Sequence, residues 1–321
     1  MSNHPSSGRP YGNSTTETTP PATAAPRPAP ASTPGLNAQG GDVGPLPPAT
    51  GPARPRDYVL VFEDTFDRGD RPDPAHWRFE YGFLRNREAQ FYTDRPENVR
   101  IENGVLVIEA RRERFPTGRT DADGKPAFAE YTSGSIETRH AWTYGFIEVR
   151  AKIPSGRGTW PAIWTLGSNI REVGWPACGE IDIMEHVGHD PNRLHGTIHT
   201  AAYNHAKGTQ RGASFPIDQP HTDFHVYAVH WTPDGITFFF NDTPYFHFPN
   251  ERKTEAEWPF DKPQYLKLNL AIGGVWGGQK GIDDTAFPHR FEIDYVRVYQ
   301  APPAPRDPAP DDRVPDRPDR P

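Results

Sequence analysis

The sequence contains one cysteine and no long apolar segment, and both absences exclude classes of protein. Cys178 cannot form a disulfide within the chain, and no Cys/His spacing typical of a zinc or iron–sulfur site is present. No stretch reaches the roughly 20 uncharged apolar residues that a membrane-spanning helix requires. Residues 1–10 also lack the apolar core of a secretion signal. We therefore expect a soluble chain with no membrane partner.

Dense clusters of basic side chains are also missing. The chain has 35 Lys and Arg against 42 Asp and Glu, which gives a formal net charge of −7 at pH 7. Binding to a polyanion depends on concentrated positive charge. Nucleic acid is therefore not an expected partner.

Proline is abundant, and its uneven distribution predicts the domain boundaries. Residues 1–55 and 301–321 together hold 21 of the 38 prolines, mixed with Ala, Ser, Thr, Asp and Arg. Such segments cannot bury enough apolar surface to offset the entropy lost on ordering, so we expect two disordered tails. The intervening residues 56–300 carry all eight tryptophans and are predicted to form one catalytic domain.

The domain alternates apolar and polar residues with a period of two, which is typical of β-strands. Runs rich in Val, Ile, Phe and Tyr are bounded by turn formers such as Asn103-Gly104 and Asp234-Gly235. Only Asn250–Glu257 is predicted to form a short helix. The pattern favours an all-β fold, a jelly-roll sandwich of two antiparallel sheets. The strand-like runs are 58–62, 105–110, 145–153, 224–231, 236–240 and 291–299.

Three acidic residues lie close together in Glu180-Ile181-Asp182-Ile183-Met184-Glu185. On a regular strand Glu180 and Asp182 share one face, but Glu185 would point to the other. A one-residue bulge at Ile183-Met184 would return Glu185 to the face of the other two acids. The two glutamate carboxyls would then approach to about 5 Å, the separation expected of a retaining glycosidase. Asp182, between them, would hydrogen-bond the nucleophile and raise the proton affinity of the acid.

The spacing alone leaves other interpretations open. Three acids on one strand face are also compatible with a solvated surface, or with a Ca²⁺ or Mg²⁺ site built from oxygen ligands. Tryptophans near the acids favour a groove in which indoles stack on sugar rings, although each could be an ordinary core residue. These tryptophans are Trp160, Trp164, Trp175 and Trp276.

Taken together, these motifs resemble glycoside hydrolase family 16, and in particular its laminarinase-like branch of endo-β-1,3-glucanases. The resemblance covers nearly the whole domain, and the acid cluster matches the bulged form found in this branch. The matching segments, in order, are 62–67, 86–92, 132–134, 144–154, 158–164, 180–185, 195–200, 269–274 and 294–299.

The resemblance implies a concanavalin-like jelly roll with a glycan cleft on the concave face, and it implies roles for individual residues. Glu180 would be the nucleophile, Glu185 the general acid/base and Asp182 their assistant. The chemistry would need no cofactor. A structural Ca²⁺ on the convex face is expected at Glu63, Gly104 and Asp294, through two backbone carbonyls and one aspartate. The expected sugar contacts are Asn86, Trp160, Trp164, Trp175 and Trp276, with His199 close to the acid/base.

The expected function is hydrolysis of β-1,3-glucan inside the chain by a monomeric enzyme. Alternatives with the same mechanism are cleavage of mixed-linkage glucan or of a galactan, and transglycosylation. A non-catalytic glucan-binding protein is an alternative of another class, although such relatives lose the glutamates. The polymeric substrate favours an extracellular or cell-envelope location, even though no signal peptide is visible.

Overall fold

The computed structural model describes residues 54–120 and 122–302. The predicted catalytic domain, 56–300, lies within this range apart from residue 121. The predicted tails, 1–55 and 301–321, lie almost entirely outside the described residues, so both stay predictions.

Strands dominate the described part of the chain. Helical structure there is limited to α1, Ile170–Val173, α2, Gly274–Gly277, and a 3₁₀ turn at His205–Lys207. In chain order the strands are β1 Val59–Asp64, β2 Trp77–Phe79, β3 Gln90–Tyr92, β4 Val99–Glu102, β5 Val105–Thr120, β6 Pro126–Ser133, β7 Ser135–Thr138, β8 Gly145–Lys152, β9 Thr159–Gly167, β10 Glu180–Glu185, β11 Arg193–His199, β12 Arg211–Pro216, β13 His225–Thr232, β14 Gly235–Phe240, β15 Thr243–Pro249, β16 Gln264–Ile272 and β17 His289–Gln300.

These strands form two sheets, which confirms the predicted all-β jelly-roll sandwich. One sheet has seven strands in the order β12-β11-β10-β9-β16-β7-β2, and the other has ten, arranged around β8, β17 and β5. The pairings are antiparallel except for β3 with β6, which run parallel. Among the described residues no helix is both long enough and apolar enough to cross a membrane.

The core lies between the sheets and follows directly from the period of two. In β16, Leu266, Leu268 and Leu270 are fully buried against the other sheet, whereas Tyr265, Lys267 and Asn269 point to the opposite face. The ten-stranded sheet contributes residues such as Val149, Val229, Trp231, Phe238 and Val296 to the same core. The outer face of the seven-stranded sheet is therefore free to carry a site.

Replacing Trp231 by Ala is expected to lower the free energy of unfolding by about 3–5 kcal/mol, because it leaves a large cavity. Trp231 is fully buried, and its indole N–H donates to the carbonyl of Phe260 at 3.0 Å. Urea unfolding measures the loss. Val61→Ala, at a residue 44% exposed on β1, is the control, with an expected loss below about 1 kcal/mol. Equal losses in the two variants would contradict this account of the core.

The predicted helix at Asn250–Glu257 is wrong, because this segment forms turns. Arg252 has φ +57°, a left-handed conformation that does not continue a right-handed helix. Thr254 then closes a single turn by accepting the N–H of Trp258 at 3.0 Å. Trp258 is buried and stacks on Phe248 at 5.7 Å, so packing of this indole takes precedence over local helix propensity.

Candidate active site

The acid cluster lies on β10, in the middle of the seven-stranded sheet, and it contains the predicted bulge. Asp182 pairs with Trp164 of β9 and Met184 with Ile163, so Ile183 is an extra residue relative to that strand. The pairing with β11 shows the same shift, since Asp182 faces Thr197 and Glu185 faces His195. Relative to both neighbouring strands, β10 thus has one extra residue between Asp182 and Glu185, as the sequence predicted.

The bulge divides β10 between the core and a cavity. Ile181, Ile183 and Met184 are fully buried in the core between the sheets. Glu180, Asp182 and Glu185 all line one cavity of about 510 Å³ on the opposite face. The solvated-surface interpretation of the acids is therefore wrong, because Asp182 is only 3% exposed and Glu185 only 8%.

Glu180 is held by an indole from the loop that precedes β10. Trp175 donates its N–H to Oε2 of Glu180 at 2.9 Å, and this indole packs against His205 at 4.8 Å. Nε2 of His199 lies 3.8 Å from Oε1 of Glu180. Burial and the nearby Asp182 raise the pKa of Glu180 to about 8, while His199 and the Trp175 hydrogen bond act in the opposite direction.

Glu185 is held in the same way by a different tryptophan. Trp160, on β9, donates its indole N–H to Oε1 of Glu185 at 2.9 Å. Trp276 packs edge-on against Trp160 at 5.5 Å and against His195 at 4.9 Å, which fixes the Trp160 ring. Burial and the negative charge of Asp182 raise the pKa of Glu185 well above its usual range, against the effect of the Trp160 hydrogen bond.

Asp182 lies between the glutamates and is the least satisfied of the three. Its Oδ2 is buried without a hydrogen-bond partner, although Nε2 of His199 is 3.3 Å away. Burial raises the pKa of Asp182. Three carboxylates this close and this buried cannot all be ionised near neutral pH. The arrangement therefore keeps a proton in the cluster, as a site that combines an acid with a base requires.

Replacing Asp182 by Asn is expected to move the alkaline limb of the pH–activity profile to lower pH. The negative charge of Asp182 raises the pKa of Glu185, so removing the charge lowers that pKa. A general acid works below its pKa and is lost as the pH rises through it. Trp160→Phe removes a hydrogen bond that lowers the pKa of Glu185, so the alkaline limb of the profile of this variant should move to higher pH. Profiles of kcat/KM against pH measure both shifts, and shifts in one direction for both variants would contradict this account.

The other end of the cavity is built on Trp164. Its indole N–H donates to Oδ1 of Asn269 at 2.7 Å, and two cations lie near the centre of its ring, Arg85 at 5.0 Å and Lys267 at 5.1 Å. Both cations are ion-paired with Glu80, and Lys267 also pairs with Glu137. Burial acts to raise the pKa of Glu80, but Arg85 and Lys267 hold it at about 2. The positive charges near Trp164 are thus neutralised within the protein.

The structure brings most of the predicted sugar contacts together. Asn86, Trp160, Trp164 and Trp175 line the cavity with the three acids. Trp276 is 8% exposed and supports Trp160 from behind, outside the cavity lining. All of these substrate contacts remain predictions.

His199 lies near all three acids, and it interacts electrostatically with Glu185. The sequence interpretation placed it near Glu185, but its nearest carboxylates are those of Asp182 and Glu180. In the pairing of β10 with β11, His199 faces Glu180, and it is His195 that faces Glu185. The cross-strand register decides which histidine faces which acid.

Sequence reasoning missed several residues of the cavity. Tyr265, Lys267 and Asn269 line it from β16, and their strict alternation with three leucines was a usable signal. Glu80, Arg85 and His205 also line it, from loops and a turn, and no local pattern marked them.

The predicted calcium site is untested, and its aspartate already has a partner. Nη1 of Arg150 lies 2.6 Å from Oδ2 of Asp294. The side chain of Glu63 accepts from Nε of Arg297 at 2.7 Å, which does not involve the expected backbone carbonyl. Ca²⁺ takes six to eight oxygen ligands, so binding at Asp294 would require Arg150 to move away. Calcium at Glu63, Gly104 and Asp294 therefore stays a prediction.

An all-β sandwich that places paired glutamates in an indole-lined cavity defines a glycoside-cleaving hydrolase. The family model described as "Glycosyl hydrolases family 16" matches residues 86–297. The chain belongs to glycoside hydrolase family 16, whose members are retaining hydrolases.

Relatives support this membership along most of the chain. A β-glucanase of Rhodothermus marinus is 50% identical over 255 residues, which are 76% of this chain and 85% of the relative. The crystal structure of the laminarinase from the same organism aligns with a TM-score of 0.69 at 49% identity, covering 76% of this chain and 97% of that one. SCLam, a non-specific endo-β-1,3(4)-glucanase of family GH16, aligns with a TM-score of 0.72 at 48% identity, covering 78% and 95%.

Proposed function

We propose that this chain hydrolyses internal bonds of β-1,3-glucan through a covalent glycosyl-enzyme intermediate, with Glu180 as nucleophile and Glu185 as general acid/base. The observation that carries the proposal is the pair of glutamates on either side of Asp182. They line one cavity, each accepts an indole N–H, and Asp182 lies between them. Membership of family 16 and the similarity to laminarinases support the same conclusion.

In the first step, the carboxylate of Glu180 attacks the anomeric carbon and the bond from that carbon to the leaving oxygen breaks. Glu185 transfers its proton to that oxygen, so the departing chain leaves as a neutral alcohol. The N–H of Trp175 lies on Oε2 of Glu180, which orients the carboxylate and favours its ionised form.

In the second step, Glu185 is a carboxylate and takes a proton from water while the water oxygen attacks the anomeric carbon. The bond to Glu180 breaks, and Glu180 recovers its negative charge. The N–H of Trp160 stabilises Glu185 while it is ionised, and Asp182 favours its reprotonation. Two displacements at one carbon give a product with the configuration of the substrate.

The charge balance of the cavity favours a neutral polysaccharide. Arg85 and Lys267 are the Arg and Lys side chains among its lining residues, and both are neutralised by ion pairs with glutamates. A sulfated galactan would need unpaired cations at its sulfate groups. Indole rings with polar edges suit the faces of uncharged sugars. This supports a β-glucan as the substrate.

The test is a parallel assay of the full chain on laminarin, curdlan, lichenan, agarose and carrageenan. We expect short oligosaccharides from laminarin, with the newly formed reducing end first detected as the β-anomer by NMR. Activity on lichenan as well would broaden the substrate to mixed-linkage glucan. An initial α-anomer would exclude the double displacement, and release from carrageenan alone would exclude a neutral glucan as the substrate.

A further inference from the structure

One group of metal-ligating side chains lies at the cavity, with Glu180 and Asp182 in its lining and His199 beside them, and is not explained by the mechanism alone. Glu180, Asp182 and His199 each present one ligand atom, and these three atoms lie within 4.8 Å of one another. Two acids come from β10 and the histidine from β11, so the sheet itself fixes their spacing. Groups built on strands are positioned more precisely than groups on loops.

The distance between His199 and Asp182 equals that between two ligands of a tetrahedral ion, and the distance between His199 and Glu180 is somewhat longer. A tetrahedral site with metal–ligand distances of about 2.0–2.1 Å has ligand–ligand distances of about 3.3–3.4 Å. Nε2 of His199 lies 3.3 Å from Oδ2 of Asp182 and 3.8 Å from Oε1 of Glu180. All three ligand atoms lie within 4.8 Å of one another, so Glu180 would have to move toward the other two ligands for one ion to bind all three.

A second observation points to a cation at this position. Oδ2 of Asp182 is buried without a hydrogen-bond partner, and the residue is 3% exposed. A buried, unpartnered carboxylate oxygen is costly unless it is protonated or meets a positive charge. The same oxygen is the one nearest to His199. The unpartnered oxygen of Asp182 is therefore one of the three proposed ligand atoms.

We propose that Glu180, Asp182 and His199 form an inhibitory binding site for a divalent transition-metal ion of the Zn²⁺ class. Two carboxylates and one imidazole suit such an ion, whereas Ca²⁺ and Mg²⁺ prefer all-oxygen sites with more ligands. The cavity side of the site remains open for a water ligand. Nδ1 of His199 is buried without a partner, so the ligand lacks the usual supporting hydrogen bond and the affinity is moderate.

The inhibitory consequence rests on the proposed function, but binding of the ion does not. An ion held by Glu180 removes the nucleophile and occupies the place of the sugar, so inhibition is reversible and competitive with glucan. Calorimetry without substrate tests the site itself. Zinc binding in a protein that hydrolyses no glucan would leave the metal site standing and reject only the proposed function.

The experiment is a calorimetric titration of the full chain, without an affinity tag, with ZnCl₂. We expect binding at this site to weaken at least tenfold in His199→Asn and in Asp182→Asn. His195→Asn is the matched control, because His195 lies on the same strand, is buried and has an unpartnered Nε2, but is not in the ligand set. Thermal melting in metal-free buffer checks that each variant is folded.

A second readout is the visible spectrum of the Co²⁺-loaded chain, which is intense for four-coordinate cobalt and should weaken in the same two variants. Absence of zinc binding to the unaltered chain at 1 mM ZnCl₂, or loss of binding in His195→Asn with retention in His199→Asn, would overturn the proposal. The latter result would place the ion among His186, His189 and His195, each of which has a buried ring nitrogen without a hydrogen-bond partner.

Discussion

Replacing Glu180 by Gln is expected to lower kcat on laminarin by about 10⁴-fold or more, because an amide cannot attack the anomeric carbon. The fold should survive, since the amide oxygen of Gln still accepts the N–H of Trp175. Replacing a buried carboxyl with a raised pKa by a neutral group also removes a cost of burial at neutral pH. Reducing-sugar kinetics and the melting temperature measure the two effects.

Chemical rescue separates loss of the nucleophile from general damage. In Glu180→Ala, azide can enter the space left by the carboxyl and attack an activated glycoside once, which gives a product of inverted, α configuration. Glu172→Gln, on the exposed helix α1, is the control and should retain full activity. Substantial turnover by Glu180→Gln, or a β-glycosyl azide from Glu180→Ala, would assign the nucleophile elsewhere.

Replacing Glu185 by Gln is expected to slow hydrolysis of laminarin by about 10²–10⁴-fold, because the leaving oxygen no longer receives a proton. A glycoside with a dinitrophenolate leaving group does not need that proton, so its first step should stay fast. The second step still lacks its general base. The glycosyl-enzyme should therefore accumulate, and mass spectrometry after digestion should find the sugar on Glu180.

Glu180→Ala and Glu185→Ala should give azide products of opposite anomeric configuration. In Glu185→Ala the anion attacks the intermediate formed on Glu180, and the product keeps the β configuration. Trp160→Phe is a useful comparison, because it removes only the hydrogen bond to Glu185 and should slow laminarin hydrolysis much less. If Glu185→Gln slows the hydrolysis of laminarin and the first step of the activated substrate equally, Glu185 has no role in protonating the leaving group.

The strands and the acid cluster could be predicted because their signal is local. Alternation in Glu180-Ile181-Asp182 assigns each residue to a face, and only a bulge reconciles Glu185 with the other two acids. The structure has that bulge. Burial of Ile181 and Ile183 follows from the same periodicity.

The neighbours of the acids could not be predicted because they depend on pairing between distant segments. The loop from 186 to 192 sets the register that places His199 beside Asp182, and no periodicity encodes that length. The ion pair of Lys267 with Glu80 joins residues 187 positions apart. The helix prediction at Asn250–Glu257 is wrong for a related reason, since the packing of Trp258 on Phe248 overrides a weak local helix propensity.

The three acids and two of the cavity's tryptophans, Trp160 and Trp164, lie on central strands, whereas Asn86 and Trp175 lie on connecting loops. We therefore expect the strand positions and the loop positions of the cavity to differ in their tolerance to mutation. Strands in mid-sheet are constrained by a neighbour on each side, but loops accept insertion and exchange. We therefore expect glucan preference to change more readily at a loop residue such as Asn86 than at the strand residues that carry the reaction, whereas Trp175 is held in place by its hydrogen bond to Glu180.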